Sequence, residues 1–248
     1  FDQYDKSDYL TSYKYDVRDY SNVQHSVRAL YNYTFNDKNI LTVGGDYMRD
    51  YLLSYQFTNN GSYTMHSADA FGQFDWNPTE HFNVISGVRF DYFSQSNVRH
   101  ISPHIGLMYK IANCSLRSSY SQGFRSPTLK DAMMIYGNPD LKSETSHNFS
   151  LSAEYTKNRY NFTVSGYYNL VNDRIDLTSF RDTDGRWAQL YINTEKVDIA
   201  GVDINASAKY PCGLGIRVSY GYLHEFMRDG QMKFSSTRPH SATARIEY

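Results

Sequence analysis

Residues 23–33 read VQHSVRALYNY, and their pattern decides the fold. Val23, Val27, Ala29, Tyr31 and Tyr33 fall on one side of a two-residue repeat, with Gln24, Ser26, Arg28 and Asn32 on the other. This is an extended strand whose two faces meet different media. The rhythm continues outward from it. Leu41, Val43, Gly45 and Tyr47 alternate with Thr42, Gly44, Asp46 and Met48 beyond the turn at Asn36-Asp37-Lys38. Further apolar faces follow at Ala68–Trp76, Phe82–Tyr92, Ile101–Tyr109, Leu116–Phe124, Phe149–Tyr155, Phe162–Leu170, Ala188–Ile192, Ala200–Ala208, Ile216–Tyr222 and Ala242–Tyr248. The count is about thirteen strands in up-and-down order.

Many of these strands reach the ~9–11 residues that cross a bilayer with tilt, whereas soluble strands average ~5–6. Aromatic residues make up 16% of the 248, with 24 tyrosines, yet the mean hydropathy is −0.62. Rings on a polar average suit strands with one apolar and one polar face. No apolar run approaches the roughly 20 residues of a spanning helix. A formal charge of −1, with both signs interspersed, leaves no electrostatic footprint for nucleic acid.

Connections alternate in length. Tight ones are expected at Asn36, Asn77, Ala112, Asn158 and Cys212, and longer ones around Asn60, Gln95, Thr128, Asp182 and Gly230. Short turns at one end and long loops at the other mark an outer-membrane β-barrel. Rings near strand ends (Tyr33 with Phe35, Phe74 with Trp76, Phe90 with Tyr92, and Tyr155) would form its interfacial girdles, with apolar faces toward lipid and polar faces inward. A soluble meander, sandwich or propeller with its apolar face on a protein core is the alternative. The expected class is therefore all-β: an antiparallel up-and-down transmembrane barrel, present over residues 1–248 as a partial barrel of about 12–14 strands. The chain opens in mid-pattern at Phe1, as a mature product or an excised segment would. Cys114 and Cys212 lie near strand ends and admit either a disulfide or two free thiols.

The longest interruption is YSQGFRSPTLKDAMMIYGNPDLKSETSHN, residues 120–148. It is punctuated by Phe124-Arg125-Ser126-Pro127 and by Tyr136-Gly137-Asn138-Pro139-Asp140-Leu141, where proline and glycine fix the backbone. Pro127 and Pro139 set the entry and exit of the loop, and Phe124 and Gly137 belong to the same structural motif. Arg125 either points into the lumen mouth toward a ligand or pairs with a carboxylate on a neighbouring strand. Met133, Met134, Tyr136 and Asn138 are the candidate ligand contacts, because an apolar and aromatic cluster in a loop calls for a partner, although loop packing would also use it. Asp182, Asp184 and Gly185 read as a hairpin turn, since the spacing of a calcium loop is missing. No catalytic residue, resident cofactor or protein metal site is expected. His100, His104, His147 and His224 sit in no nucleophile motif.

The phrases Gly123-Phe124-Arg125-Ser126-Pro127 and Gly137-Asn138-Pro139-Asp140-Leu141-Lys142-Ser143-Glu144 resemble those of TonB-dependent outer-membrane transporters. Two further phrases follow in the family's order: Gly166-Tyr167-Tyr168-Asn169 with Asp173-Arg174-Ile175, then Tyr191-Ile192-Asn193 with Val197–Asp203. The resemblance is most direct over Tyr120–Tyr210. It implies a 22-stranded barrel around an N-terminal plug, so the chain is expected to be an internal piece of the barrel, without the plug and the closing strands. It also implies energy-coupled uptake of a scarce metal-containing compound, namely a ferric siderophore, cobalamin or haem. The implied partners are that ligand, TonB through the plug region, and lipid of the Gram-negative outer membrane. The stretch Thr128–Gly137 lacks a histidine, which lowers haem, although Tyr136, Met133 or Met134 could contact iron. Its brevity and its Ile135–Pro139 ending look closer to cobalamin transporters. The alternatives are a passive porin or structural barrel and, further off, a barrel-type hydrolase.

Overall fold

The computed structural model describes residues 2–9, 17–36, 38–54, 57, 61–94, 97–133, 137–181, 183–227 and 238–248. These form twelve strands and one short helix: β1 (Asp2–Tyr9), β2 (Val17–Phe35), β3 (Asn39–Ser54), β4 (Ser62–Trp76), β5 (Phe82–Phe93), β6 (Val98–Ile111), β7 (Cys114–Arg125), α1 (Leu129–Met133), β8 (Glu144–Lys157), β9 (Tyr160–Arg181), β10 (Trp187–Lys209), β11 (Gly215–Met227) and β12 (His240–Glu247). They make one sheet in sequence order, each strand antiparallel to the next, with β1 and β12 at the edges. The expected up-and-down topology and its count of 12–14 strands are met.

One correction concerns the finer count of thirteen. The faces at Ala188–Ile192 and Ala200–Ala208 belong to a single strand, β10, which leaves eleven of the apolar faces given above, and β1 (Asp2–Tyr9), outside all of them, makes the twelfth strand. Its polar run Asn193–Asp198 looks like a break, but β9 extends to Arg181 and pairs with β10 from Trp187↔Arg181 to Ala208↔Tyr160. Backbone pairing carries the strand through a stretch where side-chain alternation fails. Asp173, within this stretch of β9, has φ 52°.

The short-turn end holds the connections 36–38, 77–81, 112–113, 158–159 and 210–214, and the long-loop end holds 55–61, 126–143 and 228–239. Two links expected among the longer ones are short: four residues separate β5 from β6 and five separate β9 from β10. Asn60, Gln95, Asp182 and Gly230 themselves lie outside the described residues. Ala112 and Asn158 adopt φ of 47° and 54°, the left-handed conformation that lets two-residue hairpins match strand twist, and Asn36, with φ 51°, opens the three-residue link 36–38. Cys114 opens β7 and Cys212 lies in turn 210–214, both as exposed free thiols.

The faces separate as expected. Val27, Tyr31, Leu151 and Ile101 are 68%, 62%, 64% and 58% exposed, and many other large apolar residues share their side. Full burial of each would contribute about 1.5–3 kcal/mol, so a soluble fold would not leave this whole side uncovered. Bilayer solvates it instead, which overturns the soluble alternative. Buried apolar side chains among the described residues are few and cluster at the long-loop end: Leu52, Phe57, Leu129, Leu141, Val171, Ile175 and Val197.

On the polar face, Arg28 bonds Asp46 through Nε at 2.6 Å and Nη2 at 3.0 Å. Arg89 donates to Asp91 at 2.8 Å and to Asp69 at 3.0 Å. Asp46, Asp69 and Asp91 are register partners on three adjacent strands, a like-charge row that the two arginines offset in part. Further round, Gly201 makes room for Tyr167: a Cβ there would land on its ring.

On the apolar face one diagonal recurs every four strands. Tyr47 Oη lies 2.8 Å from His66 Nδ1 between β3 and β4. Tyr120 lies 3.0 Å from His147 between β7 and β8, and Tyr220 lies 2.9 Å from His240 between β11 and β12. Each histidine stands two residues toward the long-loop end from the tyrosine's register partner, Ala68, Phe149 or Ala242. Tyr168 donates at 2.7 Å to Asp198 in the same geometry between β9 and β10.

The face assignment predicts unequal responses to charge. In the full-length protein folded into lipid vesicles, Val88→Arg on the apolar face should lower urea stability by about 2–4 kcal/mol if it lies near the bilayer midplane. Gln73→Arg on the polar face should change it by less than about 1 kcal/mol.

Candidate functional site

The connection between β7 and β8 is a folded unit. Thr128 caps α1: its Oγ1 accepts from Asp131 N at 3.2 Å, while Asp131 Oδ2 accepts from Thr128 N at 3.1 Å. This reciprocal pair satisfies two donors at the helix start. Asp131 is buried, and the same Oδ2 accepts from Arg125 Nη2 at 3.0 Å. Arg125 also faces Glu144 of β8, its register partner, at 3.7 Å, and Glu144 accepts from Ile175 N at 3.1 Å. Of the two roles open to Arg125, the structure shows the ion pair with a neighbouring strand and adds a partner within the loop.

Leu129, 3% exposed, packs with Leu52 and Phe57, and Tyr63, Met65 and Met133 lie against this cluster. Leu52 and Met65 belong to β3 and β4, on the side of the sheet that carries Asp46 and Asp50. The loop therefore folds over the polar face and reaches strands far from its own. Pro127 is buried at its entry.

The return path is pinned just as closely. Gly137 passes the backbone of Ala132 and Met133 so tightly that a Cβ would lie 2.6–2.8 Å from it. Asn138 N donates to Asp131 O at 2.8 Å. The Asn138 side chain accepts from Asp140 N at 3.0 Å and donates to Tyr191 O at 3.1 Å. Asn193 then binds the Lys142 backbone twice, accepting from its N at 2.8 Å and donating to its O at 2.9 Å, and also donates to Asp173 O at 2.7 Å. Beside this junction Arg174 is ion-paired to Glu225 and Asp176.

Of the sequence-predicted contacts, Met133 packs against the Leu52–Phe57–Leu129 cluster and Asn138 commits its amide to the loop exit. Met134 and Tyr136 lie outside the described residues. Phe124 stacks on His100 at 4.2 Å and lies 5.8 Å from Phe93. Sequence reasoning did not single out Asn193, Asp131 or Glu144 as site residues. Asn193 stood inside a quoted phrase, and Thr128–Asp131 carries the spacing of a capping box. Below the loop, Asp69 Oδ1 and His100 Nε2 are buried without hydrogen-bond partners.

Two substitutions separate the clasps of the loop. Thr128→Ala removes one cap at a cost of about 1 kcal/mol, and should speed amide exchange in 129–133 about fivefold. Asn193→Ala removes three hydrogen bonds and should instead speed exchange over 138–142, by at least tenfold. Hydrogen exchange with peptide mass analysis of the full-length protein reads both. Equal acceleration of the two segments in both variants would mean that the loop opens as one unit.

The family model described as TonB dependent receptor-like, β-barrel matches residues 1–248. An iron-regulated outer membrane virulence protein of Vibrio cholerae serotype O1 is 25% identical over 176 residues, covering 63% of this chain and 27% of that protein. The siderophore receptor PirA of Pseudomonas aeruginosa superposes with a TM-score of 0.72 at 16% identity, over 84% of this chain and 41% of its own. The copper transporter OprC gives 0.69 at 17% identity, over 84% and 38%. The chain thus spans about a quarter of the curated relative's length and less than half of either structure's. At such identities the structural likeness shows the fold alone. The sequence match runs the whole length, and the chain belongs to the TonB-dependent receptors, as part of their barrel in the Gram-negative outer membrane.

Proposed function

We propose that this chain forms part of the wall and mouth of a receptor that takes up a ferric siderophore across the outer membrane, driven through TonB. The observation that carries this reading is the β7–β8 loop, folded over the polar face and clasped at Asp131 and Asn193. A loop held over the polar face narrows the route along it, as a receptor that gates passage requires. The relatives, an iron-regulated outer membrane protein and a siderophore receptor, support iron as the cargo metal. A copper transporter stands among the structural neighbours, so the barrel wall by itself does not select the ligand.

Ligand choice then falls to the loop tip. Arg125, Met133 and Asn138 are engaged within the fold, which leaves Met134 and Tyr136 as the proposed contacts. Energy coupling would act on a plug seated against the polar face, where Asp69 and His100 offer unpartnered polar atoms.

Equilibrium binding by the full-length protein in lipid tests this reading, with ferric catecholate and hydroxamate siderophores, cobalamin and haem as ligands. Saturable binding of a ferric siderophore, weakened at least tenfold by Tyr136→Ala, is expected. Binding of cobalamin or haem alone would overturn the cargo but keep the receptor. No binding, with free diffusion of small sugars through the reconstituted protein, would make it a porin.

A further inference from the structure

A recess of about 890 Å³ lies on the apolar face, between β6 and β11. Its lining follows two lateral rows of the sheet. The row nearer the long loops is Ile105, Tyr120, Phe149, Tyr168, Ala200 and His224, joined by consecutive register partners. The adjacent row runs from Leu107 through Ser118, Leu151, Gly166 and Val202 to Tyr222. Depth comes from alternation of size: Ser118, Gly166 and Ala200 form a floor between standing rings and aliphatic chains. A Cβ on Gly166 would find its nearest neighbour at 4.0 Å, the Gly201 carbonyl, so no side chain fills the space above it.

The recess has a polar margin on one side only. Toward the long loops, Tyr120 meets His147 at 3.0 Å and Tyr168 meets Asp198 at 2.7 Å. Asp198 is 7% exposed, a carboxylate kept at the edge of an otherwise apolar face. The opposite side continues into aliphatic surface, including Val164 and Ala153. Such an arrangement suits a molecule with a long apolar body and a neutral neck of hydroxyl or amide groups. None of the side chains lining the recess itself is an arginine or lysine that would select a bare phosphate.

We propose that this recess holds one lipid of the outer leaflet at a fixed position. Its acyl chain lies over Ser118 and Gly166, and its hydroxyl- or amide-bearing neck lies level with His147 and Asp198. The occupant follows from continuity: this face is the bilayer-facing side of an outer-membrane barrel, and lipid surrounds it. A recess floored by small residues removes the mismatch between a rough protein wall and a flexible chain, so dispersion contacts accumulate along the chain length. The site is independent of the transported ligand, which meets the other face of the sheet.

Native mass spectrometry of the full-length protein, released from outer membranes in mild detergent, tests the proposal. Wild type is expected to retain one lipid per protein. Gly166→Leu fills the floor without a backbone clash and should cut the retained fraction at least fivefold. Ala70→Leu, on the same face of β4 outside the recess, should leave it unchanged. Circular dichroism and protease resistance report folding, and Ala200→Leu serves as a second filling variant should Gly166→Leu misfold. Lipid-free wild type, equal retention in the filling variants, or a two-copy assembly that the filling variants abolish would each overturn the proposal.

Discussion

Everything in this molecule hangs on the lateral ladder of backbone hydrogen bonds. In hydrocarbon no water can satisfy an open N–H or C=O, so strands must pair side by side, and every strand from β2 to β11 has a neighbour on each side. The ladder does this without help from side chains. It keeps one register across Asn193–Asp198, where alternation collapses, with Thr194↔Arg174 and Lys196↔Asn172 paired on either side of Asp173, whose φ is positive. Because the backbone needs no side-chain support, the two faces can diverge completely. One carries exposed valine, leucine and tyrosine; the other carries arginine–aspartate rows that would be intolerable in lipid.

The strands were legible because a two-residue period under different media on each face leaves a strong imprint. Val23–Tyr33 shows it with no structural knowledge. What alternation could not reveal was continuity through polar stretches, and this is why β10 looked like two strands. The loop was legible as a unit but not as a structure. Proline and glycine announced its ends, yet the partners of its clasps lie about fifty residues onward, at Tyr191 and Asn193. The apolar anchor of α1 lies even further back, at Leu52 and Phe57. Contacts of such separation leave no local trace.

The spatial arrangement also changes what the family phrases mean. Gly137–Lys142, Asp173–Ile175 and Tyr191–Asn193 are distant in sequence, yet they meet at one junction where the loop exit docks on β9 and β10. Their shared role in this chain is to hold the loop exit.

The tyrosine–histidine diagonals bear on how the barrel sits in its membrane. Three of them stand at four-strand intervals, each bridging a strand that rises toward the long loops and the one that descends from it. A phenol hydroxyl held by an imidazole is neither wholly at home in hydrocarbon nor in bulk water, and it favours the narrow zone between them. Repeated around the wall, such groups act as a waterline. Sinking or lifting the barrel would move all three out of that zone together, while tilting it would raise some and submerge others. The sheet is thus trimmed against both heave and list by residues on its apolar face.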